Sequence, residues 1–250
     1  MRLFLNSTQF IDTDKPLDLS MGLTASSKNV RAWYVDQPRF VPVRENGFLG
    51  SVAEGGNVNF RDVFFNPHGH GTHTECCGHI TEEVFSVNQT LKKYFFKATL
   101  ITITPKTLAN GDRIITAEQF TKDIDKEFSE ALLIRTLPNE KDKCEKNYSS
   151  TNPPYLDISI IQLFQELGVK HLLIDLPSVD REEDKGELAF HHAFWNVPNK
   201  PNLERTITEL IFVENKIPDG KYLLEIQMAP FENDASPSRP VLYKIDFLEV

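Results

Sequence analysis

The chain has 250 residues and a formal net charge of −9, with 40% hydrophobic and 25% charged residues. This balance is typical of a globular protein with a buried core. The acidic excess argues against a nucleic-acid partner, and no apolar run is long enough to predict a membrane span.

The cysteine content and the N-terminal segment indicate in which cellular compartment the protein is expected. Three cysteines do not suggest a disulfide framework, and the apolar start of the chain is too short for a signal peptide. We therefore expect a cytoplasmic protein. Because no internal repeat or long linker divides the sequence, a single domain over residues 1–250 is the simplest prediction.

The first half of the chain is expected to be rich in strands. Short strands are predicted within residues 3–19, an extended loop over residues 21–57, and strands over residues 58–65 and 98–104. Thr116 and Gln119 form a potential capping box, which predicts a helix running through Phe120 and Ile124.

The second half predicts a helix between strands. Apolar spacing within residues 158–167 indicates an amphipathic helix that Gly168 ends, and residues 138–154 are expected to form a loop. Further strands are predicted over residues 131–136, 171–176, 206–213, 221–228 and 241–248. Many strands and few helices predict a mixed α/β layer fold.

Residues 66–79 hold four of the seven histidines, together with Glu75, Cys76 and Cys77. Imidazole and carboxylate are the usual protein ligands of zinc and similar divalent ions. Three glycines let the main chain turn tightly here. The segment therefore predicts a catalytic metal site; the alternative is a surface loop that happens to be rich in histidine.

The spacing within this segment suggests how the ligands converge. His73 and Glu75 share one face if the segment is extended, because strand side chains alternate with a period of two. An upstream histidine is needed, and His68 and His70 are both candidates. His79 lies close enough to act as a general acid or base beside the metal.

The same segment resembles the signature of the metal-dependent cyclase and kynurenine formamidase family, His-x-Gly-Thr-His-x-Asp-x-Pro-x-His. The chain has Gly71-Thr72-His73, then Glu75 where the family has Asp, Cys77 where it has Pro, and His79 in the last position. A Cys77 nucleophile is the alternative chemistry, which we disfavour because the family places proline there.

The first histidine of the signature is out of register. His68 lies one residue too early and His70 one residue too late. We favour His68 because it follows Asn66 and Pro67 at the end of a predicted strand, as the family ligand does. A one-residue bulge at Gly69 and His70 would absorb the extra residue.

Other stretches resemble the same family. Residues 175–180 are similar to its Asp-x-Pro-Ser-x-Asp turn, residues 189–192 to its paired histidines, residues 212–215 to a segment with a metal-binding glutamate, and residues 218–241 to its C-terminus. The matches cover nearly the whole chain. They imply a cyclase-like, swivelling β/β/α architecture.

The resemblance implies one or two divalent ions, zinc or manganese. Their implied ligands are His68, His73 and Glu75 for a first ion and Glu75, His191 and Glu214 for a second, with His70 and His192 as alternates. Because Glu is one methylene longer than Asp, a single ion is an open alternative. His79 would donate and accept the proton, and Trp33 would contact the substrate.

The implied activity is hydrolysis of a small aryl formamide such as N-formylkynurenine by metal-activated water, in tryptophan catabolism. Relatives are commonly homodimers or homotetramers, so assembly is expected. An insert at residues 196–204 could alter substrate choice. The alternatives are a hydrolase of cyclic amides or lactones of the isatin type, and a non-catalytic metal or small-molecule binder.

Overall fold

The computed structural model describes residues 1–120 and 124–248, in which a strongly curved β-sheet packs against short helices. The strands are β1 (Arg2–Phe4), β2 (Gln9–Asp12), β3 (Leu17–Asp18), β4 (Arg39–Pro42), β5 (Arg44–Glu45), β6 (Phe48–Leu49), β7 (Arg61–Phe64), β8 (His73–Glu75), β9 (Phe95–Ile103), β10 (Lys106–Thr107), β11 (Arg113–Ile115), β12 (Ala131–Thr136), β13 (Tyr155–Leu156), β14 (His171–Ile174), β15 (Thr206–Glu209), β16 (Gly220–Met228) and β17 (Ala235–Phe247). The α-helices are α1 (Pro67–His70), α2 (Val87–Thr90), α3 (Ile160–Leu167) and α4 (Ala189–Trp195). The predicted mixed α/β fold is confirmed.

The main sheet closes into a barrel-like ring. Its order is β17, β16, β9, β12, β14, β15 and β8, and β8 pairs again with β17. Strands β9, β12, β14 and β15 are parallel, whereas β8, β16 and β17 run antiparallel to their neighbours. The short strand β8 therefore joins the two ends of the ring.

Two apolar cores lie on opposite faces of this sheet. On one face, alternate strand residues such as Leu132 and Ile134 pack against Phe164 of α3 and Phe194 of α4. On the other face, residues from β9, β12, β14, β16 and β17 meet one another inside the ring. Burial of strand side chains on both faces explains why β12 and β14 each contain a continuous apolar run, residues 131–134 and 172–174.

Most of the predicted elements are confirmed, with shifted ends. The strand predicted over residues 131–136 matches β12, and the predicted amphipathic helix is α3. Gly168 ends that helix with φ of 76°, a left-handed conformation that glycine adopts without a side-chain clash. The strong period of apolar residues explains why this helix was predictable.

Two local predictions need correction. The loop predicted over residues 21–57 contains paired strands in its second half, because β4 pairs with β7 and β5 with β6. The helix predicted from Thr116 is only a 3₁₀ turn over Ala117–Gln119, since Phe120 returns to an extended conformation. The rest of that predicted helix includes residues 121–123, which lie outside the described residues.

Within the described ranges, no helix is both long and apolar enough to cross a bilayer. The single domain over residues 1–250 stays a prediction.

His171 opens β14 and is buried in the fold, away from the histidines of residues 66–79. Its Nδ1 lies 2.8 Å from Thr206 Oγ1, and its ring centroid is 3.9 Å from that of Phe96. Burial lowers the pKa of His171 to about 3, from an ordinary value near 6.5. The imidazole therefore stays neutral in the folded state where an unfolded chain would take up a proton.

The lowered pKa of His171 predicts that the folded protein becomes less stable in acid. Because the folded pKa lies below the unfolded one, protonation favours the unfolded chain as the pH falls below about 6.5. From pH 7 to pH 5 the parent should lose about 2 kcal/mol of unfolding free energy through His171. A His171→Gln variant should lack this part of the pH dependence. The unfolding free energy of both proteins can be measured by urea denaturation between pH 7 and pH 5, in the presence of a chelator. If it depends on pH equally in the two proteins, His171 is not the source of the acid sensitivity.

Candidate metal centre

β8 places two of the predicted ligands on one face of the sheet. His73 and Glu75 are separated by Thr74, and both side chains are completely buried. β15 lies antiparallel beside them, with Glu209 directly opposite His73. Cross-strand partners project to the same face, so Glu209 joins the pair. His73 Nε2 lies 3.5 Å from Glu209 Oε2 and 3.9 Å from Glu75 Oε2.

The hydrogen bonds of His73 account for only one of its two ring nitrogens. Its Nδ1 donates to the carbonyl of Gly71 at 3.0 Å, so Nε2 carries a lone pair. Nε2 of His73 is buried without a hydrogen-bond partner among the residues described, whereas the buried Oε2 of Glu75 is contacted by Nδ1 of His68 at 3.0 Å. The His73 nitrogen therefore faces the carboxylates of Glu75 and Glu209 without a hydrogen bond to either, and a cation would satisfy all three groups.

A single helical turn, α1, delivers His68. Asn66 begins the turn by accepting the N–H of Gly69 at 3.1 Å, and Pro67 occupies the first helical position, where its missing N–H costs nothing. His68 then reaches two carboxylates: Nδ1 lies 3.0 Å from Glu75 Oε2, and Nε2 lies 2.9 Å from Asp234 Oδ2.

The same turn directs His70 elsewhere. Its Nε2 donates to the carbonyl of Asp36 at 2.5 Å, and its Nδ1 accepts the N–H of Asn66 at 2.7 Å. Both ring nitrogens are thus used, which leaves His70 no ligand atom. The extra residue is absorbed by the helical turn and not by the expected bulge. Gly69 lets the turn pack closely, because a Cβ there would lie 2.7 Å from Val35 Cγ2.

α4 supplies His191, which a carboxylate holds in place. Asp180 accepts the backbone N–H groups of Phe190 and His191 at 2.8 and 3.1 Å, and the Nδ1–H of His191 at 2.6 Å. His191 Nε2 lies 3.2 Å from Glu75 Oε1. A carboxylate on one ring nitrogen orients the other, the usual arrangement around metal-binding histidines.

His79 lies at the edge of the cluster and is partly exposed. Its Nδ1–H donates to Asp234 Oδ2 at 3.3 Å, and its ring stacks on that of His68 with centroids 4.3 Å apart. Asp234 precedes β17, whose pairing with β8 brings it here. Asp234 thus ties two histidines of residues 66–79 to the C-terminal part of the sheet.

Glu214 is not brought to this cluster, which corrects the expected ligand set. Its exposed carboxylate pairs with Lys216 Nζ at 2.5 Å. Glu209, five residues earlier, lies in the cluster instead because β15 ends there. His192 also lies apart: its Nδ1 donates to the carbonyl of Val197 at 3.3 Å. Neighbours on a helix point about 100° apart, so only His191 faces the sheet.

Sequence reasoning missed Glu209 and assigned no role to Asp180 or Asp234. One signal was available for Glu209. It falls within the strand predicted over residues 206–213, and a carboxylate in a buried apolar strand requires a compensating partner. Asp234 had no comparable signal, because only the pairing of β17 with β8 brings it beside His68.

The charges of the cluster are strongly coupled. Burial disfavours protonation of His68, but hydrogen bonds to Asp234 and Glu75 outweigh it and raise the pKa of His68 to about 10. Burial likewise opposes the charging of His191, yet Asp180 and Glu75 raise its pKa to about 10. Despite burial, the adjoining imidazoles hold the pKa values of Glu75 and Asp234 well below the usual range.

These observations fit a divalent metal. Ligand atoms of His68, Glu75 and His79 lie within 4.8 Å of one another, as do those of His73, Glu75 and Glu209, so Glu75 is common to both groups. Nitrogen and carboxylate oxygen donors suit zinc or manganese. Metal binding would displace the protons that His68 and His191 otherwise hold.

A cavity of about 340 Å³ reaches the cluster. This is the lower end of the range for small-molecule sites. Its lining includes His68, His79, His191 and Glu209, and Trp33, Val35 and Leu188 provide apolar surface. Trp33 has a φ of 59°, a left-handed conformation that costs a residue with a side chain about 1–2 kcal/mol. The tertiary structure therefore enforces the position of this indole.

Cys77 is completely buried in the core between the sheet and the helices, and Cys76 is also buried. The Sγ–H of Cys76 donates to the carbonyl of Phe85 at 3.2 Å. Because substrate must reach a nucleophile, this burial disfavours the cysteine alternative.

Comparisons with known proteins agree with this geometry. The family described as "Putative cyclase" matches residues 17–181. The chain is similar to the kynurenine formamidase of Bacillus anthracis, with 27% identity over 237 residues, 93% of this chain and 99% of the relative. It is 26% identical to the kynurenine formamidase of Bacillus mycoides over 243 residues, 96% of this chain and all of that relative.

Solved structures share the fold. One, described as a potential metal-dependent hydrolase with cyclase activity, has a TM-score of 0.64 and 16% identity, covering 92% of this chain and 97% of its own. An isatin hydrolase bound to the product analogue thioisatinate has a TM-score of 0.62 and 14% identity, covering 93% of both chains.

The placement of Glu209 predicts that Glu209 and Glu214 differ in their effect on metal affinity. Glu209→Gln keeps the side-chain volume but removes a negative charge from the cluster, so zinc or manganese affinity should fall by at least about tenfold. Glu214→Gln, an equal change outside the cluster, should leave it unaltered. Competition titration against a metal indicator measures both. The opposite ranking would restore the original assignment of Glu214.

The contact between Asp180 and His191 predicts a second effect on the metal. Asp180→Asn removes the charge that orients the imidazole, so metal affinity should fall by about 10–100-fold. Asp157→Asn is the matched control, because Asp157 also accepts a backbone N–H, that of Ser159 at 2.9 Å, but does not line this cavity. Equal metal affinity in the two variants would show that Asp180 acts on the loop alone.

Proposed function

Because the chain belongs to the cyclase family, we propose that it is a metal-dependent amidohydrolase of small aryl formamides similar to N-formylkynurenine. The observation that carries this proposal is the unpartnered Nε2 of His73, which faces the buried carboxylates of Glu75 and Glu209, beside the pair formed by His79 and Asp234. A cation site next to a proton-transfer group, in one small cavity, is what hydrolysis of an amide requires.

The substrate ring would rest on the apolar part of the cavity lining. Trp33, Val35 and Leu188 contribute an indole and two aliphatic side chains to the same cavity that the histidines line. An aromatic ring buried there would place a polar substituent toward His79 and His191. The names of the formamidase relatives support an aryl formamide as that ligand.

The chain's own residues would position and move the protons. Asp234 accepts the Nδ1–H of His79, which leaves Nε2 of His79 with a lone pair. Nε2 would accept a proton from the attacking water and then donate it to the departing nitrogen. An amine leaves poorly as an anion, so this transfer would accompany cleavage of the C–N bond.

The ligand residues would hold the metal against this pair. Glu75, Glu209, His68, His73 and His191 are the candidate ligands, and a divalent ion bound there would supply Lewis-acid activation of water and of the carbonyl group. The buried setting strengthens each charge interaction, because little water is present to screen it.

The proposal predicts loss of activity on chelation. Chelated protein should not hydrolyse an aryl formamide, and zinc or manganese should restore turnover. His79→Ala should lower kcat by about 10²–10⁴-fold while metal content stays equal to that of the parent. His192→Ala, which removes an adjacent imidazole outside the cavity, is the control. Absorbance assays on formylkynurenine, formanilide, isatin and a simple lactone measure the rates.

Each outcome distinguishes the alternatives. Turnover of isatin or the lactone without turnover of the formamides would favour hydrolysis of cyclic substrates. Bound metal without turnover of any compound, with His79→Ala behaving like the parent, would favour a non-catalytic binder. The homodimer or homotetramer and the cytoplasmic location stay predictions.

A further inference from the structure

Ser178 lies in the loop that follows β14, within the stretch of residues 175–180. Its side chain is largely buried, and it lines the same cavity as His79, His191 and Glu209. A hydroxyl in a small cavity beside the candidate reaction centre can contact a bound substrate. Neither the metal ligands nor the proton-transfer pair makes use of it.

The main chain around Ser178 is attached to the metal cluster on its C-terminal side. The N–H of Val179 donates to Glu209 Oε1 at 3.1 Å, and Asp180 binds His191 through its carboxylate. Two consecutive residues thus connect the loop to two different candidate ligands. The position of Ser178 relative to the cluster is therefore set by direct hydrogen bonds.

A buried ion pair restrains the other end of the loop. Asp175 lies 2.8 Å from Lys143 Nζ and accepts both the N–H and the hydroxyl of Thr136, at 2.9 and 2.8 Å. Breaking such a pair would leave an uncompensated charge in the core, so this end is held firmly. Ser178 is consequently restrained from both directions.

The hydroxyl of Ser178 has a hydrogen available for a substrate. Its Oγ accepts the N–H of Asp180 at 3.0 Å, which occupies a lone pair and leaves the O–H free to donate. Accepting one hydrogen bond also polarises a hydroxyl and makes it a better donor. By contrast, Asp234 accepts the Nδ1–H of His79, and Asp180 accepts that of His191.

We propose that Ser178 is a catalytic residue that donates a hydrogen bond to the carbonyl oxygen of the scissile amide. This inference rests on the proposed hydrolase function. When the oxygen of water bonds to the carbonyl carbon, the C=O π pair moves onto the carbonyl oxygen. Ser178 stabilises that charge and keeps its own proton. The pair then returns as the C–N bond breaks, and the nitrogen takes its proton from His79.

The expected effect is specific to the rate of the chemical step. Ser178→Ala should lower kcat by about 10–100-fold, since loss of one donor to a developing oxyanion commonly costs this much or more. KM, metal content and the thermal unfolding midpoint should stay close to those of the parent. Ser178→Thr, which keeps the hydroxyl, should retain most of the activity.

Ser26→Ala is the matched control. Ser26 Oγ accepts the N–H of Lys28 at 3.2 Å, the same bond to the second residue along the chain, but on an exposed loop outside this cavity. Removal of the Ser26 hydroxyl should leave kcat unaltered.

An inhibitor provides a second test of the donor role. An arylboronic acid, which becomes tetrahedral when water adds, should inhibit Ser178→Ala more weakly than the parent, by a factor similar to the loss of kcat.

Several results would overturn the proposal. Parent-like kcat in Ser178→Ala refutes the donor role alone and leaves the hydrolase function standing. Loss of metal in Ser178→Ala would mean that the hydroxyl acts only by shaping the loop. If Ser178→Ala does not fold, Ser178→Gly and Ser178→Thr decide between the same outcomes. A metal-loaded parent without turnover of any substrate would remove the hydrolase function, and this inference with it.

Discussion

Complete burial of the Glu75 carboxylate is the constraint on which the rest of the site depends. An isolated buried carboxylate is expensive, so the surrounding structure must supply positive charge or donors. Here His191 and His68 approach it from two other elements, at 3.2 and 3.0 Å. Glu75 lies in β8, the strand that closes the barrel, so the closed ring is what brings the members of the cluster together. Nε2 of His73, which lies 3.9 Å from Glu75 Oε2 and has no hydrogen-bond partner among the described residues, marks where a cation belongs.

A second set of carboxylates organises the imidazoles. Asp180 holds His191, and Asp234 holds both His68 and His79. These acids come from the loop after β14 and from the residue preceding β17. Side chains from distant parts of the chain thus preorganise the ring nitrogens before any ligand arrives. Such partners decide tautomer and basicity, which explains why they matter as much as the residues that would touch the metal.

The local pattern of residues 66–79 was sufficient to predict much of the site. Alternation along β8 correctly placed His73 and Glu75 on one face, because a strand allows little else. The order Asn66 and Pro67 favoured His68, and the structure brings His68 to the cluster. The reason differed from the expected bulge: Asn66 caps a helical turn. A bulge and a helical turn both accommodate the one extra residue relative to the family signature, and the sequence alone does not distinguish them.

Glu209 and Glu214 show the limit of what the local sequence pattern can predict. Both follow β14 in a stretch rich in apolar residues, and either is compatible with the end of a strand. Their roles depend on the register between β15 and β8, which places Glu209 directly opposite His73. A shift of one residue would turn that carboxylate to the other face.

The sequence by itself determined the candidate chemistry, the apolar strands and the helix α3, since each depends on spacing over a few residues. Only the tertiary structure decided that Glu209 and Asp234 join the cluster and that Glu214 does not. Closure of the ring through β8 brings together residues more than a hundred positions apart, and strand register is set by packing over the whole sheet.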